Sequence, residues 1–190
     1  MTDIETLHKY GLDDKTKSIY IMGDIDNETT STAIKNINAI APKRNNKITI
    51  HMQSPGGDAD LMWGLYDLIK QKNATIYGYG IIASAAAYIF QAGRKRIMTR
   101  NSVMMIHAGV ISVDGTHKVA KSAIDQNEKD LEKYLDVFVE RYARSMSNVS
   151  PLSFRRGEAA MEIDQILKGI EDWYLSAEEA AGYGFCDEVI

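Results

Sequence analysis

A strand, a glycine turn, a helix and a second strand follow one another between Lys47 and Tyr79, and that order leaves few folds open. Lys47–Met52 alternates polar and apolar residues, the two-residue period of a half-buried strand. Ser54-Pro55-Gly56-Gly57 must turn, because proline fixes φ and paired glycines accept positive φ. Asp58 is placed to cap a helix running to Lys70, with Leu61, Met62, Leu65, Leu68 and Ile69 at helical spacing. Thr75–Tyr79 reads as the next strand. Strand, crossover helix and strand in sequence imply parallel pairing.

The same alternation continues on both sides. Ser18–Met22 reads as a strand ending at Gly23, and the stretch from Asn27 to Ser31 caps a helix reaching about Ala41, before Pro42. Ala83–Ala92 is a small-residue helix, and Arg96–Met98 and Val103–Ile106 are strands. Val110–Val113, followed by Asp114-Gly115, suggests a hairpin arm. Ala120–Met146 is a long helix with Ile124, Leu131, Leu135, Phe138 and Tyr142 along one side, broken by Ser150-Pro151. A further helix covers about Phe154–Leu167, a short capped helix starts at Ser176, and a last strand lies near Val189. Residues 1–17 form a polar, mobile arm with a short helix, leaving 18–190 as one domain. The fold class is α/β with mostly parallel strands.

Composition excludes several classes. The net charge is −4 with no basic block, which argues against nucleic acid as a partner. The longest apolar stretch, Gly80–Phe90, is too short to span a bilayer. The N-terminus lacks the basic and apolar regions of a signal peptide, and Cys186 stands alone, so a reducing, cytoplasmic setting is expected. Gly78-Tyr79-Gly80 lacks the third glycine of a dinucleotide site, and there is no phosphate loop, so no ATP site is expected in this chain. No cluster has metal-ligand spacing, and no cofactor is expected.

Two residues could carry chemistry. Ser84 lies just past a strand at the head of a helix, among Ala83, Ala85, Ala86 and Ala87, where free N–H groups favour a developing oxyanion. Read alone, a plain N-cap serine is the commoner reading, since serine caps are common. His107 closes an apolar strand, a position suited to a general base. His8, His51 and His117 lie in less suitable places. An acid is needed to orient the histidine. Asp172 precedes the partly apolar Trp173-Tyr174-Leu175 run and is preferred, with Asp164 and Glu171 as rivals that spacing alone does not separate. The Gly56-Gly57 turn and the Ala85 N–H could offer two donors to a carbonyl oxygen.

Four segments in order resemble the ClpP family, the serine peptidase subunit of ATP-dependent Clp proteases. They are Ile50–Gly57, Ala83–Ala87 with Ala92-Gly93, Arg100–His107, and Leu175–Ala180 with Tyr183-Gly184. The resemblance implies that Ser84 is the nucleophile, His107 the general base and Asp172 the third member, with Gly57 and Ala85 at the oxyanion positions. It implies a ClpP/crotonase-like fold of repeated β-β-α units, with a handle region at about 110–147. It also implies seven-membered rings, stacked in pairs, that enclose a chamber. A Clp-type AAA+ ATPase partner would use the ATP and deliver unfolded polypeptides. The chain departs from the family pattern in its shorter arm before Ile19, in Ala108-Gly109-Val110 after His107, in added sequence around 150–166, and in Glu171 where an arginine is common. Such departures suit a divergent member, for example one carried by a bacteriophage. Other readings are an ATPase-independent head-maturation peptidase, a non-catalytic ring subunit, and an acyl-CoA enzyme of the crotonase type.

Overall fold

The polar N-terminus forms α1 (Asp3–Tyr10) and a short strand, β1 (Leu12–Asp13), which pairs antiparallel with β2 (Ser18–Met22). The short helix is as the sequence suggests, but its tie to the sheet is not signalled there. Tyr20 donates its N–H to the Gly11 carbonyl at 2.8 Å, and the Asn36 side chain donates to the Tyr10 carbonyl at 2.8 Å. The computed structural model describes residues 3–107, 109, 113–146, 152–169 and 172–190. Residues 110–112 of the expected hairpin arm, the Ser150-Pro151 break and Glu171 lie outside them. The chain divides into two units, Met1–Ile106 with Tyr174–Ile190, and His107–Trp173.

The first unit is a sheet crossed by helices. After β2 come α2 (Asn27–Ile40), β3 (Lys47–Ser54), α3 (Ala59–Lys70), β4 (Asn73–Ala83), α4 (Ala85–Gln91), β5 (Lys95–Met98) and β6 (Val103–Ile106). The main strand order is β1-β2-β3-β4-β5-β8, where β8 is Glu188–Val189. The β2–β3, β3–β4, β4–β5 and β5–β8 pairs are parallel, as the alternation predicts. The cap of α2 is Asp26 rather than a residue of 27–31; its carboxylate accepts the Thr29 N–H at 2.8 Å. Asp58 caps α3 as expected, accepting from Asp60 and Leu61.

The two-residue period decides what each face of the sheet meets. Ile48, Ile50, Met52 and Ser54 of β3 point inward and are buried. On the other face Tyr20, His51, Tyr77 and Tyr79 stack side by side, with His51 at 4.6 Å from Tyr20 and 5.4 Å from Tyr77 between ring centres. His51 Nδ1 lies 2.8 Å from the Tyr79 hydroxyl, and burial pushes the imidazole pKa down.

β4 is longer than predicted and irregular, and both facts matter for the site. Met52 pairs with Gly78 but Ser54 pairs with Ile82, so two steps along β3 match four along β4. Gly80 takes φ +54 within that bulge. Before the bulge β4 pairs with β5; after it, Ile81, Ile82 and Ala83 pair in parallel with Val103, Met104 and Met105 of β6. β6 also pairs with β7 (Trp173–Ser176), which leads into α7 (Ala177–Gly182) through a capping box between Ser176 and Glu179.

A buried arginine anchors the C-terminal end. Arg96, 4% exposed, donates to both Asp187 carboxylate oxygens (2.9 and 2.5 Å), to Gln91 Oε1 (2.6 Å) and to the Gly184 carbonyl (3.0 Å). Gln91, itself fully buried on α4, donates to the Phe185 carbonyl at 3.1 Å.

The second unit contains α5 (His117–Ser145) and α6 (Leu152–Gly169), close to the predicted helices. Phe138, Ala143, Ala159 and Ile163 are buried in it. Tyr142 donates to Glu162 at 2.7 Å, and Arg156 pairs with Asp136 at 2.7 Å. Among the described residues no helix is long and apolar enough to cross a membrane.

Replacing Arg96 by alanine removes the guanidinium donors to the Asp187 carboxylate, Gln91 Oε1 and the Gly184 carbonyl, while the backbone N–H of residue 96 still reaches Asp187 Oδ2. The expected cost is about 3 kcal/mol, or a fall in Tm of roughly 6–12 °C for a chain of this size. Thermal unfolding at fixed protein concentration checks it.

Candidate active site

β4 ends at Ala83 and α4 begins at Ala85, so Ser84 alone makes the turn between them. Its backbone is at φ 53, ψ −128, a conformation that costs a non-glycine residue about 1–3 kcal/mol. The Ser84 N–H donates to the Met105 carbonyl at 2.9 Å, continuing the β4–β6 pairing by one residue. The serine occupies the N-cap position, yet its side chain makes no capping bond to α4. The plain N-cap reading of Ser84 therefore does not describe it. A sharp strand-to-helix turn of this type pushes the side chain out from the end of a sheet.

The Ser54-Pro55-Gly56-Gly57 loop is pressed against this turn. A Cβ built on Gly56 (φ +100) would lie 2.6 Å from Ser84 Cβ, 2.7 Å from the Ala83 carbonyl oxygen and 3.0 Å from the Ala85 nitrogen. Only glycine permits that approach. On its other side the loop is bound to the segment following β2. Ile25 donates its N–H to the Gly56 carbonyl and accepts the Asp58 N–H, both at 2.8 Å, which makes a parallel bridge between Ile25 and Gly57. In such a bridge the two bonds flank Gly57, so its own N–H faces the opposite edge, the side of the sheet on which β4 lies. A side chain on Gly57 would collide with the Ile25 backbone.

Ser84, Ala85 and the two glycines thus come together within the first unit. A cavity of about 500 Å³ adjoins the loop, lined by residues that include Ile25, Asp26, Pro55, Gly57 and Leu61.

His107 and Asp172 come together within the second unit. His107 directly follows β6, and its Nδ1 lies 3.4 Å from Asp172 Oδ1. The imidazole is 18% exposed and the carboxylate 43%. That separation is an ion-pair distance, somewhat beyond an N–H···O hydrogen bond of about 2.7–3.2 Å. Asp164 lies within α6, and Glu171 is outside the described residues. His8 lies in α1, His117 opens α5, and His51 belongs to the tyrosine stack. Among the described residues no group of three or more His, Cys, Asp or Glu is placed to hold a metal ion.

Two parts of this arrangement escaped sequence reasoning. Ile25 is hydrogen-bonded to the loop through backbone atoms, which leave no mark on residue type. Ser54 read only as a turn residue, although its fully buried hydroxyl accepts the Gly56 N–H at 3.1 Å. Its place two residues before Gly56 was the available signal, since serine commonly bonds the backbone two residues on.

Comparison with known proteins agrees with this architecture. The family model described as Clp protease matches residues 5–190. The ATP-dependent Clp protease proteolytic subunit 2 of Treponema denticola is 27% identical over 179 residues, covering 92% of this chain and 82% of the relative. Proteolytic subunit 3 of Rhizobium johnstonii is 29% identical over 181 residues, covering 93% and 84%. Proteolytic subunit 2 of Prochlorococcus marinus subsp. pastoris is 30% identical over 147 residues, covering 75% and 66%.

Gly56→Ala places a methyl group against Ser84 Cβ and the Ala83 carbonyl, at a φ that alanine resists. Expected outcomes are a lower Tm and reaction of Ser84 with a fluorophosphonate slowed by on the order of tenfold or more. Intact-mass labelling kinetics check it.

Proposed function

The chain belongs to the Clp protease family, and from that premise we propose that it is a serine endopeptidase hydrolysing peptide bonds of unfolded polypeptides with Ser84, His107 and Asp172. The observation that carries this reading is the Ser84 turn. A serine held at φ 53 beside a glycine loop, its side chain making no capping bond to α4, is a costly arrangement for a purely structural residue.

In this mechanism Ser84 Oγ attacks the substrate carbonyl carbon while His107 takes the hydroxyl proton. His107 then gives that proton to the leaving amine, and the acyl group stays on Ser84. A water molecule, deprotonated by His107, attacks the ester, and Ser84 leaves with its proton restored. Within the first unit Ala83 is opposite Met105, so Ser84 follows directly from a strand paired with β6. Asp172 faces Nδ1, which favours the tautomer with that nitrogen protonated and leaves Nε2 as the base. The Gly57 and Ala85 N–H groups receive the negative charge that develops on the carbonyl oxygen. Because they are backbone groups, they need little reorganisation as that charge forms.

The relatives' names attach ATP dependence to those proteins. For this chain, which has no phosphate-binding loop, the corresponding proposal is a separate Clp-type ATPase that delivers substrate. A ring oligomer, heptameric and stacked in pairs, would enclose the sites, in the setting of the cytoplasm. Selectivity then comes from access to the chamber rather than from the bond-breaking step.

Labelling with a fluorophosphonate, read by intact mass, tests the assignment. Wild type is expected to gain one adduct per chain at Ser84. Ser84→Ala is expected to gain none and to lose peptidase turnover by on the order of 10⁴-fold or more, with its circular dichroism unchanged. Full peptidase activity in Ser84→Ala would refute the proposal.

A further inference from the structure

We infer that Ser54 is a positioning residue: its hydroxyl sets the Gly56-Gly57 loop so that the Gly57 N–H faces the reacting carbonyl. This rests on the serine peptidase reading above.

Ser54 is the last residue of β3 and is fully buried. Its Oγ accepts the Gly56 N–H at 3.1 Å. The carbonyl of the same Gly56 accepts the Ile25 N–H at 2.8 Å. Both backbone polar groups of Gly56 are therefore committed, one inward to a side chain and one outward to a neighbouring segment. Asp58, on the far side of Gly57, is held by its N–H on the Ile25 carbonyl. Gly57 is thus clamped between two fixed residues, and its peptide plane has little freedom left.

The Ile25 bonds hold the loop from one edge, and those bonds are backbone throughout. On the inner side a side-chain hydroxyl supplies the hold. A glycine at φ +100 followed by one at φ +149 has many competing conformations. Without the Ser54 acceptor, the Gly56 N–H would be left in a buried place without that partner. The Pro55–Gly56 peptide, which carries that N–H, could then rotate to find another, and the resulting change at the Gly56 Cα swings the next peptide, so that the Gly57 N–H is aimed by the Ile25 bond to the Gly56 carbonyl without its inner support. An amide donor acts on the transition state only if it is already aimed where charge will develop. Ser54 would therefore affect kcat far more than substrate binding.

The test compares wild type, Ser54→Ala and Ser54→Cys as full-length assembled protein, using a short fluorogenic peptide and a peptidyl boronic acid. The boronic acid forms a tetrahedral adduct that uses the same N–H groups, whereas KM reports mainly ground-state contacts. In Ser54→Ala, kcat is expected to fall on the order of 10- to 100-fold with KM changed less than about threefold. Boronic acid affinity should fall in proportion to kcat. Ser54→Cys keeps the volume but offers a weaker acceptor, so its kcat should lie between the two. If Ser54→Ala does not fold, Ser54→Cys decides: a reduced kcat at wild-type KM supports the inference, and wild-type kcat overturns it. Ser54→Ala with wild-type kcat and boronic acid affinity overturns it while leaving the serine peptidase reading intact. A lower Tm with kcat and KM worsened alike also overturns it, since that is a structural role alone. Wild-type protein inert to both reagents would overturn the peptidase reading and this inference together.

Discussion

Three backbone segments meet at the end of the parallel sheet with almost no side chain between them, and the rest of the arrangement depends on that contact. Ile25 follows β2, the glycine loop follows β3, and Ser84 follows β4. Each is the continuation of a strand whose neighbour is already paired. The loop can lie between the other two only because residues 56 and 57 lack a Cβ. Backbone N–H groups then point across the sheet end at fixed angles, which suits binding of charge that appears only during reaction.

The bulge in β4 is what lets one strand serve two neighbours. Its first half pairs with β5, and β5 carries Arg96, which ties α4 to the C-terminal segment. Its second half pairs with β6, which ends immediately before His107. Had β4 run without interruption, Ser84 would not sit opposite the end of β6. The strain at Ser84 is supported from several sides: by the Met105 carbonyl, by the buried helix α4, and by the close approach of Gly56. The family assignment and the α/β ClpP-type fold are consistent with this frame.

Much of this was legible in the residues. Strand alternation in β2 and β3, the Asp58 cap and the Ser176 capping box are local features, and local features leave local signatures. The residues of interest were also visible as types, because Ser-Pro-Gly-Gly and the serine among alanines are unusual strings. What could not be read was geometry set by distant backbone. The tie of the arm to β2, the Ile25 latch and the extra residues in β4 depend on main-chain bonds that any residue can make. The sequence suggests a strand over Thr75–Tyr79, whereas β4 runs on through the kink at Gly80 to Ala83. Among Asp164, Glu171 and Asp172, spacing gave no ranking; the 3.4 Å approach of Asp172 to His107 distinguishes it from Asp164, which lies within α6.

The central claim is that Ser84 is the nucleophile and that Gly57 and Ala85 hold the oxyanion. The most direct measurement is a crystal structure of the protein treated with a peptidyl boronic acid. The account predicts boron bonded to Ser84 Oγ, with one boronate oxygen within about 3.2 Å of both the Gly57 and Ala85 nitrogens. Boron on another residue, or a Ser84 adduct whose oxygen points away from those two N–H groups, would contradict it.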